Sequence, residues 1–161
     1  MGFDLEGERQ GYFRNNVWFW RPLCDYVLTN CDGVGTPEEQ RSWHYNDGHL
    51  VPSEVAESIA DQLEALVQAG KVKTHAEQLE KRRIAAEQHN EGVRKRLEAL
   101  GKEVDALGIP NLIPGGYPQP YRDRWEYLYS LLDHDADYPF SVENVNTFID
   151  FCRKSGGFTI N

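Results

Sequence analysis

No stretch of this sequence approaches the run of about 20 apolar residues that a membrane-spanning helix needs. Its opening, MGFDLEGERQ, lacks the basic start and apolar segment of a secretory signal, and Glu6 stands where N-myristoylation requires Ser or Thr. The expectation is a cytoplasmic protein with no membrane partner. Cysteine is scarce: three residues, an odd and widely spaced set, fit a reducing compartment and set aside a disulfide framework. Also missing are a P-loop, a dinucleotide fingerprint, a nucleophile elbow and an H-E-x-x-H pair, so the enzyme classes that announce themselves by motif drop out. His44, Asp47 and His49, near one turn, remain the acid and base candidates, and they serve equally well as turn formers and surface histidines.

What is present suffices for one domain. The 161 residues, 40% hydrophobic and 12% aromatic, can bury a single core, and the expected extent is 1–161 as one domain. The formal net charge of −9 is unevenly spread. Residues 71–102 carry nine Lys and Arg against five Glu, a net +4, which leaves −13 on the rest. An acidic body repels nucleic acid at long range, so no direct nucleic-acid partner is expected.

Periodicity outlines the elements. Phe3 and Leu5 alternate with polar residues, as do Phe158 and Ile160, so the two chain ends are expected to pair in a small sheet. Apolar residues from Val17 to Cys31 recur at three and four, which predicts a helix from Phe13 to Cys31 that Pro22 starts or kinks. Thr36-Pro37-Glu38-Glu39 has the chemistry of a capping box, and Asn46-Asp47-Gly48 that of a turn. Ser53 to Gly70 is predicted as an amphipathic helix with Gly70 as its stop. Thr74-His75-Ala76-Glu77 resembles a second capping box, opening a long charged segment over 74–107. There Leu79, Ala86, Val93, Leu100 and Leu107 repeat every seven residues, Leu97 and Val104 fill the seam, and Asn90 interrupts it. Gly92 divides a protruding arm from a packed half or bends the segment into a helical hairpin. Ile109 to Pro120, with four prolines, is a connector; Tyr121 to Leu132 is a helix; and Ser141 caps a last helix ended by Gly156-Gly157. The fold class is therefore α+β, predominantly helical: a small sheet from the termini, several amphipathic helices, and one long charged helix or helical hairpin.

The run Gly11-Tyr12-Phe13-Arg14-Asn15-Asn16-Val17-Trp18-Phe19-Trp20-Arg21-Pro22-Leu23 interleaves aromatics with two guanidiniums and two amides. Aromatic faces stack on flat groups, Arg forks phosphate or carboxylate, and Asn offers a donor with an acceptor. On one helix, Arg14, Trp18 and Arg21 would share a side. The candidate ligand-binding set is Tyr12, Arg14, Asn15, Asn16, Trp18, Trp20 and Arg21, with Asn46 and Asp47 as orienters. Its opposite is a structural aromatic helix whose arginines pair with carboxylates.

This run, with the early Met1-Gly2-Phe3-Asp4, Asn46-Asp47-Gly48-His49 and Ser155-Gly156-Gly157-Phe158, resembles a group of small uncharacterised bacterial and bacteriophage proteins. The resemblance covers the two ends and the Asn46 turn. It implies a bacterial or phage-infected cell as the setting and, for a phage, a counter-defence role; no activity comes with it.

Cys24, Cys31, His44 and His49 form C-x6-C-x12-H-x4-H, zinc-finger-like in its second half. Two thiolates on one zinc lie about 4 Å apart, whereas helical residues seven apart are separated by about 10 Å along the axis, so no metal is assigned. Asp133, His134, Asp135 and Asp137 read as an exposed loop at a helix end rather than a cation site. Lys81-Arg82-Arg83 and Arg94-Lys95-Arg96, diluted by Glu80, Glu87, Glu91 and Glu98, read as a solvated helix with internal ion pairs, or as an arm that pairs with the acidic body of a second copy in a homo-oligomer. The expectation is a cofactor-free, non-enzymatic binding protein for a nucleotide-like or planar anionic ligand. The alternative is an acidic inhibitor that occupies a host nucleic-acid-binding or defence protein.

Overall fold

The computed structural model describes residues 2–161. The Met1 end of the expected first strand lies outside them. The chain forms two compact units, Met1–Glu80 with Tyr138–Asn161, and Lys81–Asp137.

In the first unit, β1 (Gly2–Gly7) buries Phe3 and Leu5 on one face, and it pairs antiparallel with β4 (Gly157–Ile160) through Leu5 opposite Ile160. The chain ends thus meet as their alternation predicts. Two strands join them that the apolar pattern did not indicate, β2 (Tyr12–Asn16) and β3 (His49–Pro52). The sheet is antiparallel in the order β2-β1-β4-β3, so the two strands from the chain ends occupy its middle.

β2 corrects the helix expected from Phe13. Residues 12–16 alternate exposed and buried, and Asn16 is extended, with φ −69° and ψ 166°. α1 (Val17–Asn30) starts only after it, with the Asn16 side chain accepting the Phe19 N–H at 3.1 Å. Phe13 matched the helical spacing because inward strand positions and inward helix positions coincide where one element hands over to the next. Pro22 lies inside α1 and does not start it.

α2 (Pro37–Ser42) has the full capping box: Thr36 Oγ1 accepts from Glu39 N at 3.3 Å, and Glu39 Oε2 accepts from Thr36 N at 2.7 Å. α3 (Ser53–Gln68) packs against α6 (Val142–Ser155), and the sheet, α1, α3 and α6 close on one core. Aromatic rings dominate it: Phe13, Trp20, Trp43, Phe148, Phe151 and Phe158 touch in series. Ser141 caps α6 by accepting the Asn144 N–H, and Gly156 ends it at φ 67°, a left-handed position that suits glycine.

Gly70, at φ 73°, turns the chain from α3 into α4 (Lys71–Asp105). The Thr74 capping box is thereby corrected. Helix has already begun at Lys71, and the Thr74 hydroxyl bonds back to the Gly70 carbonyl at 3.1 Å. The hairpin is corrected as well, since α4 runs through Gly92 unbroken for 35 residues.

In the second unit the seven-residue repeat reads out as packing. Ala86, Asn90, Val93, Leu100 and Val104 are buried along one side of α4, and Leu128 of α5 (Tyr121–Ser130) is buried with them. Asn90 fits the apolar seam because both ends of its amide find backbone partners there. It donates to the Asp133 carbonyl and accepts the Asp133 N–H, both at 2.8 Å. Leu107 falls beyond the end of the helix and is exposed. The outer faces carry ion pairs, Arg94–Glu87, Lys95–Glu91, Lys102–Glu98 and Arg124–Glu103. The molecule is a predominantly helical α+β protein with six helices and a four-stranded sheet among the described residues.

Candidate functional site

The Tyr12 to Arg21 run splits between two elements, and each places its side chains differently. On β2 the outward side chains are Tyr12 and Arg14, facing Asp4 of β1, which stands directly opposite Arg14. The Tyr12 hydroxyl donates to Asp4 Oδ1, and Arg14 Nε lies 3.4 Å from the same oxygen. That bond to a carboxylate holds the Tyr12 hydroxyl protonated to higher pH than usual. Arg14 keeps two thirds of its side chain in solvent, where such a pair contributes little to stability.

On α1 the outward side chains are Trp18, Phe19 and Arg21. Trp18 meets the Tyr138 ring edge-on, with centroids 5.2 Å apart, and Arg21 Nη1 donates to the Tyr138 hydroxyl at 3.1 Å. Tyr138 therefore ties an exposed indole to an exposed guanidinium. Sequence reasoning missed it because it lies 117 residues from Arg21 with no local pattern to connect them.

The remaining members of the set are employed structurally. Trp20 is fully buried, stacked between Phe3 and Trp43, and its indole N–H donates to the Trp43 carbonyl at 2.8 Å. Asn15 is buried and donates to Asn144 Oδ1 at 3.2 Å, while Asn16 is the cap of α1. Arg14, Trp18 and Arg21 do not share one helix side, because Arg14 is on a strand. Asn46 and Asp47 are exposed beside β3, at the opposite edge of the sheet. Three strand spacings, about 14 Å, separate that edge from β2, too far for direct orientation of a group held there.

The zinc-like set also divides. Cys24 is buried on α1, Cys31 is buried at its C-terminal cap, and His49 lies on β3. His44, however, comes to Cys24 and brings in Asp25: one donor atom from each of Cys24, Asp25 and His44 lies within 4.8 Å of the others. Burial raises all three thiols, Cys31 up to about 11, so none is a ready nucleophile. Further clefts lie elsewhere among the described residues. One of about 270 Å³ at the α3–α4 corner is lined by Tyr26, Asn30, Lys71 and His75, and one of about 280 Å³ in the second unit by Arg96, Glu103, Arg124 and Tyr127.

In comparisons with known proteins the chain matches no family model, no curated protein and no solved structure.

Proposed function

We propose that this is a binding protein rather than an enzyme, and that it takes up a planar anionic ligand of nucleotide-like chemistry on the face made by Trp18, Arg21 and Tyr138. Tyr12 and Arg14 on the outer face of β2 extend the set. The observation that carries this reading is Arg21. Its guanidinium is exposed and bonded to an uncharged phenol that also holds Trp18, so its charge stays available to a phosphate or carboxylate beside an aromatic surface. The raised thiols and the absence of the familiar catalytic motifs favour binding over covalent catalysis. The resemblance to bacterial and phage proteins extends the proposal to counter-defence, with a nucleotide signal or cofactor as the sequestered ligand.

Thermal-shift screening against nucleotides tests it. A nucleotide should raise the melting temperature in proportion to the logarithm of its concentration and quench tryptophan emission. Arg21→Ala and Trp18→Ala should abolish both effects without lowering the unliganded melting temperature by more than a degree or two. If no nucleotide shifts the curve and a partner protein is recovered in a salt-sensitive manner, the acidic surface is the functional one and the ligand reading fails.

A further inference from the structure

We propose that Cys24, Asp25 and His44 form a three-ligand site for one thiophilic divalent metal ion of the zinc class, with the fourth coordination position open to solvent.

The donors come from two places in the first unit, α1 and the segment after α2, and the core packing that fixes Trp43 also holds these two places together. Cys24 and Asp25 are consecutive on α1, whereas His44 follows α2. The peptide just before His44 is pinned to α1 at the Trp43 carbonyl, which accepts from Trp20 Nε1 at 2.8 Å and from the Cys24 thiol at 3.7 Å, the latter bond being given up when a metal displaces the thiol proton. The Trp43 ring is sealed in the core, stacked on Trp20 and edge-on to Phe158. His44 therefore projects from a fixed backbone. Its Nε2 stands 3.7 Å from Asp25 Oδ1, and all three donor atoms lie within 4.8 Å of one another.

Metal bonds of about 2.0–2.3 Å in a tetrahedron place donors about 3.3–3.8 Å apart. The Asp25–His44 separation already falls in that range, and a side-chain adjustment of about 1 Å closes the widest gap. The donor set of one sulfur, one imidazole nitrogen and one carboxylate oxygen suits zinc or cobalt and not a hard cation such as magnesium. Access follows from exposure: Cys24 forms the floor, while Asp25 and His44 are open to solvent at 65% and 39%. Binding replaces the Cys24 S–H bond with a sulfur–metal bond and releases that proton to water, leaving thiolate, carboxylate and dication with no net charge. Cys31 and His49, the other half of the sequence pattern, take no part.

Cobalt(II) titration of the untagged, reduced protein tests the site, because a thiolate–cobalt bond gives a near-ultraviolet charge-transfer band and tetrahedral cobalt a strong visible one. The expected result is a band that saturates at one cobalt per chain and is displaced by zinc. It should be lost in C24S and H44N, weakened at least tenfold in D25N, and retained in C31S. H44N alters a half-exposed side chain and keeps the test valid should C24S fail to fold. No charge-transfer band at saturating cobalt, or a band unchanged in H44N, overturns the proposal; so does a band lost in C31S but kept in C24S.

Discussion

Trp20 and Trp43 stack face to face in the core but stand differently toward hydrogen bonding, and the difference can be measured. The Trp20 N–H has the Trp43 carbonyl, while the Trp43 N–H is buried with no partner among the described residues. Trp20→Phe removes the stronger of two donors to the buried Trp43 carbonyl and leaves it only the weak Cys24 thiol, at a cost of about 1 kcal/mol beyond the lost packing. Trp43→Phe removes an unsatisfied group, so its cost is that of packing alone. Urea denaturation should rank Trp20→Phe as the more destabilising of the two, and the reverse order would show that the Trp20 bond is not formed. At Asn90, Asn90→Leu should likewise cost about 1–3 kcal/mol, because both Asp133 backbone groups lose their partner. Faster amide exchange at Asp133 is the local signature to look for.

Among the elements, α2 is short enough for its start to decide its stability. Glu39 accepts the Thr36 N–H, which holds its carboxyl below the ordinary glutamate range. A depressed folded value makes the contribution complete above the unfolded value, and it is lost as pH falls through the folded one. An NMR titration should show Glu39 titrating below the ordinary glutamate range, with the α2 amides moving alongside it. Thr36→Ala, which costs about 1 kcal/mol at a cap, should bring it part of the way back, since the backbone N–H of residue 36 still donates. A Glu39 that titrates in the ordinary range would refute the capping box. This element was legible in the sequence, as were α3 and α6, because caps and apolar stripes are local signals. β2 and β3 were not, being strands of five and four residues at the two edges, with one inward apolar residue each, Phe13 and Val51. The candidate site suffered from the same cause. Reading residues 13–31 as one helix grouped Arg14 with Trp18 and Arg21, while Tyr138 and the approach of His44 to Asp25 arise from contacts across long sequence separations that no spacing encodes.

For the whole molecule, the two units make separable predictions. The first has an aromatic core closed by strands from both ends of the described chain, and the second a narrow seam along α4 with Leu128. Deleting residues 157–161 removes β4, whose Phe158 and Ile160 are fully buried, and leaves the inner edges of β1 and β3 unpaired. Loss of cooperative unfolding in the first unit is expected, read by tryptophan emission from Trp20 and Trp43. Retained cooperativity would mean that the sheet is not what holds this unit together.

The strand order also sets a timetable for synthesis. When residues 2–16 leave the ribosome they can form only the β1–β2 hairpin, and two strands alone are marginal in water. β3 follows some 35 residues later with no neighbour to pair with, because the strand that joins it to β1 is made last of the four. The four-stranded sheet therefore cannot close until residue 160 has emerged and β4 can insert between β1 and β3. Until then Phe3, Leu5, Phe13 and Val51 lack their final cover, and this interval is when a nascent chain would engage a chaperone.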